Sequence, residues 1–260
     1  MSHALNEFNL RLAEFQNDLS FLEHAFELRP RIKQVLDFSK QGAVLELAER
    51  FGDLEGNQPE SFYGPMLVRL VASFERYLRL LMRDAVEGWA KKAKTFDQLP
   101  EGMGDRNLVL SGRLIGNSDS PRDHLYVDLV ALVDNLPTCR NGSATYRLNP
   151  IVFMDLINGI TIDIIEKGLK AIRVNNWQNA IGADKALQAQ LNCARTTDAT
   201  KQMASRLKEL SRWRNNWAHG GDNEPSLKNT QIRDTIDFLA AFSKALDLTV
   251  MKQIHAGKSP

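Results

Sequence analysis

Arg214, Asn215 and His219 fall in one short run, Arg214-Asn215-Asn216-Trp217-Ala218-His219, at the end of a segment with helical periodicity. The apolar stripe of that segment is Met203, Leu207, Leu210 and Trp217, and position 214 is the place on the seam where another apolar side chain is expected. A guanidinium stands there instead, and a buried arginine is rare without a partner. Either this face opens into a polar site, or Arg214 is bridged to an acid such as Glu75. His219 is five residues on, a rotation of about 140°. It flanks the same groove, near the negative end of the helix dipole, which favours an imidazolium. Asn215, four residues before His219 and on its face, is within reach of the ring or of a ligand. A guanidinium holds an anion, and an imidazole with an ordinary pKa of about 6.5 exchanges a proton near neutral pH. Arg206, Lys208, Arg212 and Arg214 face a single acid, Glu209, in the same stretch, and Trp213 and Trp217 lie between them. Arginine with indole can grip phosphate and stack a base; packing is the other role open to the two tryptophans.

The rest of the composition narrows the chemistry. The chain has 260 residues, 43% hydrophobic and 25% charged, with a formal net charge of +1. Such a balance is that of a globular protein and excludes a disordered or fibrous chain. It is not the global charge of a nucleic-acid-coating protein, so any nucleic-acid site is a local patch. Two cysteines, Cys139 and Cys193, and five widely spaced histidines give no metal-ligand spacing, and no metal or cofactor is expected. Phosphate-binding glycine loops and a nucleophile elbow are missing from the sequence. No apolar run approaches the roughly 20 residues of a membrane span, and the N-terminus has no signal-peptide h-region, so a cytoplasmic protein without membrane contact is expected.

The elements that must position these residues read almost entirely as helix. In residues 2–28, Phe8, Leu12, Phe15, Leu19, Leu22 and Phe26 share one face, with Pro30 as the expected break and a second amphipathic helix over 31–51. Gly52–Glu60 reads as a turn. A helix over about 61–93 carries Leu67, Leu70, Val71, Phe74, Leu78 and Leu81 on one side and Arg69, Arg76 and Arg83 on the other. Glu75 and Arg79 are spaced to pair across one turn of it. Residues 97–124 are the least regular, with Leu108–Ile115 reading as a short strand or ordered loop. Residues 125–135 and 151–175 read as helix, the latter with a strand-like alternation at Ile160–Ile164. Thr197 and Asp198 cap a helix running to His219, which Gly220-Gly221 ends. Pro225-Ser226 opens a last helix with Ile232, Ile236, Leu239, Phe242, Leu246 and Val250 on one face. The fold class is therefore all-α, with an irregular central insertion.

The run Arg214–His219, followed by Gly220, resembles the R-x(4–6)-H motif of the HEPN superfamily, whose common form places a polar residue after the arginine and a glycine after the histidine. Val71-Ala72-Ser73-Phe74-Glu75-Arg76-Tyr77-Leu78 is similar to an early helix of its RiboL-PSP-type branch. The likeness spans residues 60–250, which divides the chain into an N-terminal helical extension, 1–55, and a HEPN-like domain, 56–260, with its insertion around 97–124. The resemblance implies a four-helix bundle that forms a homodimer with the motifs facing each other. It implies metal-independent endonucleolytic cleavage of RNA, in which the ribose 2′-OH attacks the adjacent phosphate and leaves 2′,3′-cyclic phosphate and 5′-OH ends. His219 would move the proton, Arg214 would neutralise the transition state, and Asn215 would orient the ring or a phosphate oxygen. Arg212, Glu75 and Trp217 would bind RNA or support the site. Proteins of this kind serve as toxins or antiviral effectors, with an antitoxin or defence-system partner, and the alternative is a non-catalytic module that binds RNA, nucleotide or a protein.

Overall fold

The computed structural model describes residues 1–37, 60–117, 126–219 and 226–256. These form an all-α protein with no strand among the described residues. Four helices are long: α1 (His3–Asp37), α2 (Glu60–Lys92), α9 (Thr196–His219) and α10 (Asn229–Ala256). Six are short: α3 (Met103–Gly116), α4 (Leu129–Asn135), α5 (Pro150–Met154), α6 (Ile162–Ala171), α7 (Trp177–Gly182) and α8 (Lys185–Gln190).

Helix α2 is the axis of the molecule, since α1, α9 and α10 all pack against it. A helix covered on several sides must be apolar on several sides. That is why α2 buries Tyr63, Met66, Leu70, Phe74, Tyr77, Leu81, Val86 and Trp89 beyond any single stripe. The apolar faces expected on α1 and α10 are the faces that are buried. Phe8, Leu12, Phe15 and Leu19 of α1 join the core, as do all six residues expected on α10. Phe8, Phe74 and Tyr77 form an aromatic cluster with ring centroids 5.1–5.8 Å apart, within the range aromatic pairs favour.

The arginine stripe of α2 is solvent-exposed and also pairs with α1. Arg76 Nε donates to Glu7 at 2.8 Å, and Arg69 stands 3.9 Å from Asp18. Arg69 also lies over the Phe15 ring, at 5.5 Å.

Several expectations change. Helix α1 does not stop at Pro30 but continues to Asp37, so propensity is overridden there. Leu108–Ile115 is neither strand nor loop; it belongs to α3, so the insertion is less irregular than its composition suggests. The buried side of α3 is Met103, Asn107, Leu110, Ser111 and Leu114, a helical spacing in which two of the five positions are polar. The polar pair hides the period. Asn107 accepts from the Asn149 backbone N–H at 2.8 Å, and Ser111 accepts from the Asn149 amide at 3.0 Å, so the pair is buried with partners. Residues 151–175 hold two helices, α5 and α6, and the Ile160–Ile164 alternation is the junction before α6. Helix α9 begins at Thr196, which puts Thr197 and Asp198 inside its first turn. Helix α10 begins at Asn229, beyond Ser226. The turn at 52–59, most of the 31–51 helix, residues 118–125 with His124, Gly220-Gly221 and Pro225 lie outside the described residues.

Helices α6 and α8 end in the same motif. After α6, the Val174 N–H donates to Leu169 O at 2.9 Å and the Arg173 N–H donates to Lys170 O at 3.2 Å. After α8, Cys193 and Asn192 do the same towards Gln188 and Ala189. The residue between helix and exit must then be left-handed, and φ is 63° at Arg173 and 52° at Asn192. Asparagine tolerates that conformation; for arginine it costs on the order of 1 kcal/mol.

Candidate functional site

The C-terminal half of α9 reaches the N-terminal half of α2 through Trp213 and Trp217. Trp213 is buried and Trp217 packs at the core's edge. Trp217 fits because residue 64 of α2 is glycine: a β-carbon there would fall inside the indole. Arg214 lies one turn before Trp217 on α9, and its charge is felt by Arg79, further along α2.

Arg214 is half-buried, as the break in the stripe implies for a group with something to face. Its Nη1 donates to Asn215 Oδ1 at 3.0 Å, while its Nε is buried with no hydrogen-bond partner. Across the interface, Arg79 and Glu75 form an ion pair, each side chain only 13% exposed, and Arg79 Nε donates to Ile157 O at 3.0 Å. Burial holds the Arg79 guanidinium below its ordinary value. The Glu75 carboxylate opposes that shift, and Arg214 is close enough to add to it. The Arg79–Glu75 pair is therefore largely buried, with the Arg214 charge acting on it from α9. Trp217, one turn after Arg214, adds a second orphan donor: its indole N–H is buried without a partner.

The structure thus joins Arg214 to Asn215 on α9 and Glu75 to Arg79 on α2, with the two guanidiniums near enough to interact, while Trp217 packs over Gly64. His219 is the last residue of α9, is exposed, and makes no hydrogen bond to the described residues. Asn215 is bonded to Arg214 rather than to the histidine ring. Arg212 is exposed, about 200° around α9 from Arg214, and is not part of the cluster. Two contributors were not assigned to the site from sequence. Arg79 was visible only as the partner of Glu75. Gly64 gave no signal, because its role depends on which side chain arrives from α9.

Among the described residues no group of His, Cys, Asp and Glu gathers in a way that would hold a metal ion. No helix among them is long and apolar enough to cross a membrane. Comparison with known protein families, curated proteins and solved structures finds no match to this chain.

Proposed function

We propose that the protein is an RNA endonuclease of the HEPN type, working as a homodimer in a toxin or antiviral setting. The observation that carries the reading is the half-buried Arg214, whose Nε has no acceptor and whose charge acts on Arg79. A half-buried guanidinium that faces a second guanidinium is stabilised by an anion. A phosphate at the exposed side of Arg214 supplies that charge.

In the reaction, the ribose 2′-OH attacks the adjacent phosphorus and the bond to the 5′ oxygen breaks. Both the nucleophile and the leaving group belong to the RNA. The protein has to move protons and stabilise the phosphorane-like charge. His219, exposed at the end of α9, is free to exchange the proton. Arg214 neutralises the equatorial oxygens. Asn215 holds Arg214 in place through its 3.0 Å bond, which makes it a positioning residue in this reading.

An oligonucleotide pair tests this. An all-RNA strand should be cut and its 2′-deoxy counterpart should not, because the nucleophile is then missing. Equal cutting of both would remove the mechanism. A second reading, a non-catalytic RNA- or partner-binding module, draws on one observation: no described side chain holds the His219 ring in a fixed orientation.

A further inference from the structure

A second basic place lies at the junction of α3 and α6, towards the other end of α2. It is a groove of about 440 Å³ lined by Gly102, Asp105, Arg106, Val109, Lys170 and Arg173. That volume is within the range of small-ligand sites. Three cations face one carboxylate. Lys170 is also paired with Glu166 at 2.5 Å, whereas Arg106 and Arg173 have no ion-pair partner among the described residues. Arg173 is the residue that occupies the left-handed position after α6, where glycine would serve the backbone better. Its guanidinium reaches over Gly102, where any β-carbon would collide with it. Gly102 is the N-cap of α3, with φ 69°. A guanidinium is therefore set against the positive end of a helix dipole, and Arg106 follows one turn later. Asp105, in the first turn of α3, offsets part of this charge, and the rest favours a further anion in the groove.

We propose that this groove binds the polyphosphate group of a small molecule, held by Arg106, Lys170 and Arg173. No aromatic side chain lines it, so the phosphates are the recognised part. Lys170 also borders a neighbouring cavity of about 300 Å³ lined by Asn175, Asn176, Trp177, Gln178 and Asn179. The Trp177 indole N–H is buried there without a partner. A group attached to the phosphates has room and hydrogen-bonding partners on that side. The inference is independent of the RNA-cleavage reading.

The test is calorimetric titration with sodium tripolyphosphate at low ionic strength, where screening is weak. Wild type should bind. Arg173→Gly and Arg106→Gln should each bind at least about tenfold more weakly, as expected for a lost charged contact. Arg173→Gly should also melt at the same or a higher temperature, because glycine relaxes the left-handed position. That separates lost binding from lost folding, and Arg106→Gln provides a second check on an ordinary helical residue. No binding by wild type, or undiminished binding by both variants, overturns the proposal. Nucleoside triphosphates binding more tightly than tripolyphosphate would support it and place the nucleoside in the second cavity. Equal affinity would support it with phosphate alone as the ligand. Displacement of tripolyphosphate by single-stranded RNA at equal phosphate concentration would overturn the small-ligand assignment.

Discussion

The indole of Trp217 occupies the space that a β-carbon on residue 64 would need, so α9 closes on α2 only because that residue is Gly64. This contact seats the end of α9, with Arg214 one turn before Trp217, against the start of α2. Gly64→Ala should force Trp217 outward and cost about 1–3 kcal/mol, the usual range for overpacking. Thermal melting would show the loss, and a red shift in tryptophan emission would show the exposure. The same variant should lose RNA cleavage. An unchanged melting temperature would mean that α9 does not seat on α2 in this way.

Glu75 pairs with Arg79, whose guanidinium also feels the charge of Arg214. Glu75→Gln should destabilise the fold by about 1–2 kcal/mol, less than for a fully buried pair because its side chain is partly solvated. Sulfate should restore more stability to this variant than to wild type, since an anion can replace the missing charge. Denaturant titrations with and without sulfate measure both effects, and equal responses to sulfate would argue against an anion-binding cluster.

The first helix contributes to the shared core through its rings more than through its ion pairs. Phe8→Ala should cost about 3–5 kcal/mol, as for other buried phenylalanines. Arg76→Ala, which removes an exposed pair with Glu7, should cost less than about 1 kcal/mol. Urea denaturation of the two variants gives the ranking, and the reverse order would place α1 outside the core.

Burial pushes the Tyr77 phenol well above its ordinary value of 10.0, and the carboxylates of Asp247 and Asp84 add to the shift. Its hydroxyl donates to Ser243 O at 2.8 Å. The folded state therefore favours the neutral phenol. That contribution is complete below the unfolded pKa and is lost as pH rises above it towards the folded value. Stability should fall as pH rises above about 10, and Tyr77→Phe should make the fall shallower. Denaturation free energies across that interval give the comparison; parallel curves would show that another group controls the alkaline limit.

Much of this was legible in the residues. The stripes of α1, α2 and α10 repeat at helical spacing, and their expected core positions are buried or partly buried. The gap at Arg214 was visible because one charged residue interrupts an otherwise regular seam. Helix α3 was not legible, since Asn107 and Ser111 stand at two of its buried positions and only their long-range partner Asn149 makes them tolerable there. Gly64 and Arg79 were not legible as site residues for a related reason. Each is defined by a neighbour from a distant helix, and nothing local to residue 64 or 79 announces Trp217 or Arg214. The asparagine after the arginine suggested a partner for His219, but its side chain is taken by the adjacent guanidinium.

The proposed cleavage of RNA through its own 2′-OH by His219 and Arg214 is tested by incubating purified protein with total RNA in EDTA, wild type beside His219→Ala and Arg214→Ala, with end-group analysis of the fragments. Only wild type should cut, both variants should stay folded by circular dichroism, and the new ends should be 2′,3′-cyclic phosphate and 5′-OH. Cleavage by the His219→Ala protein at the wild-type rate, or 3′-OH ends from the wild type, would contradict it.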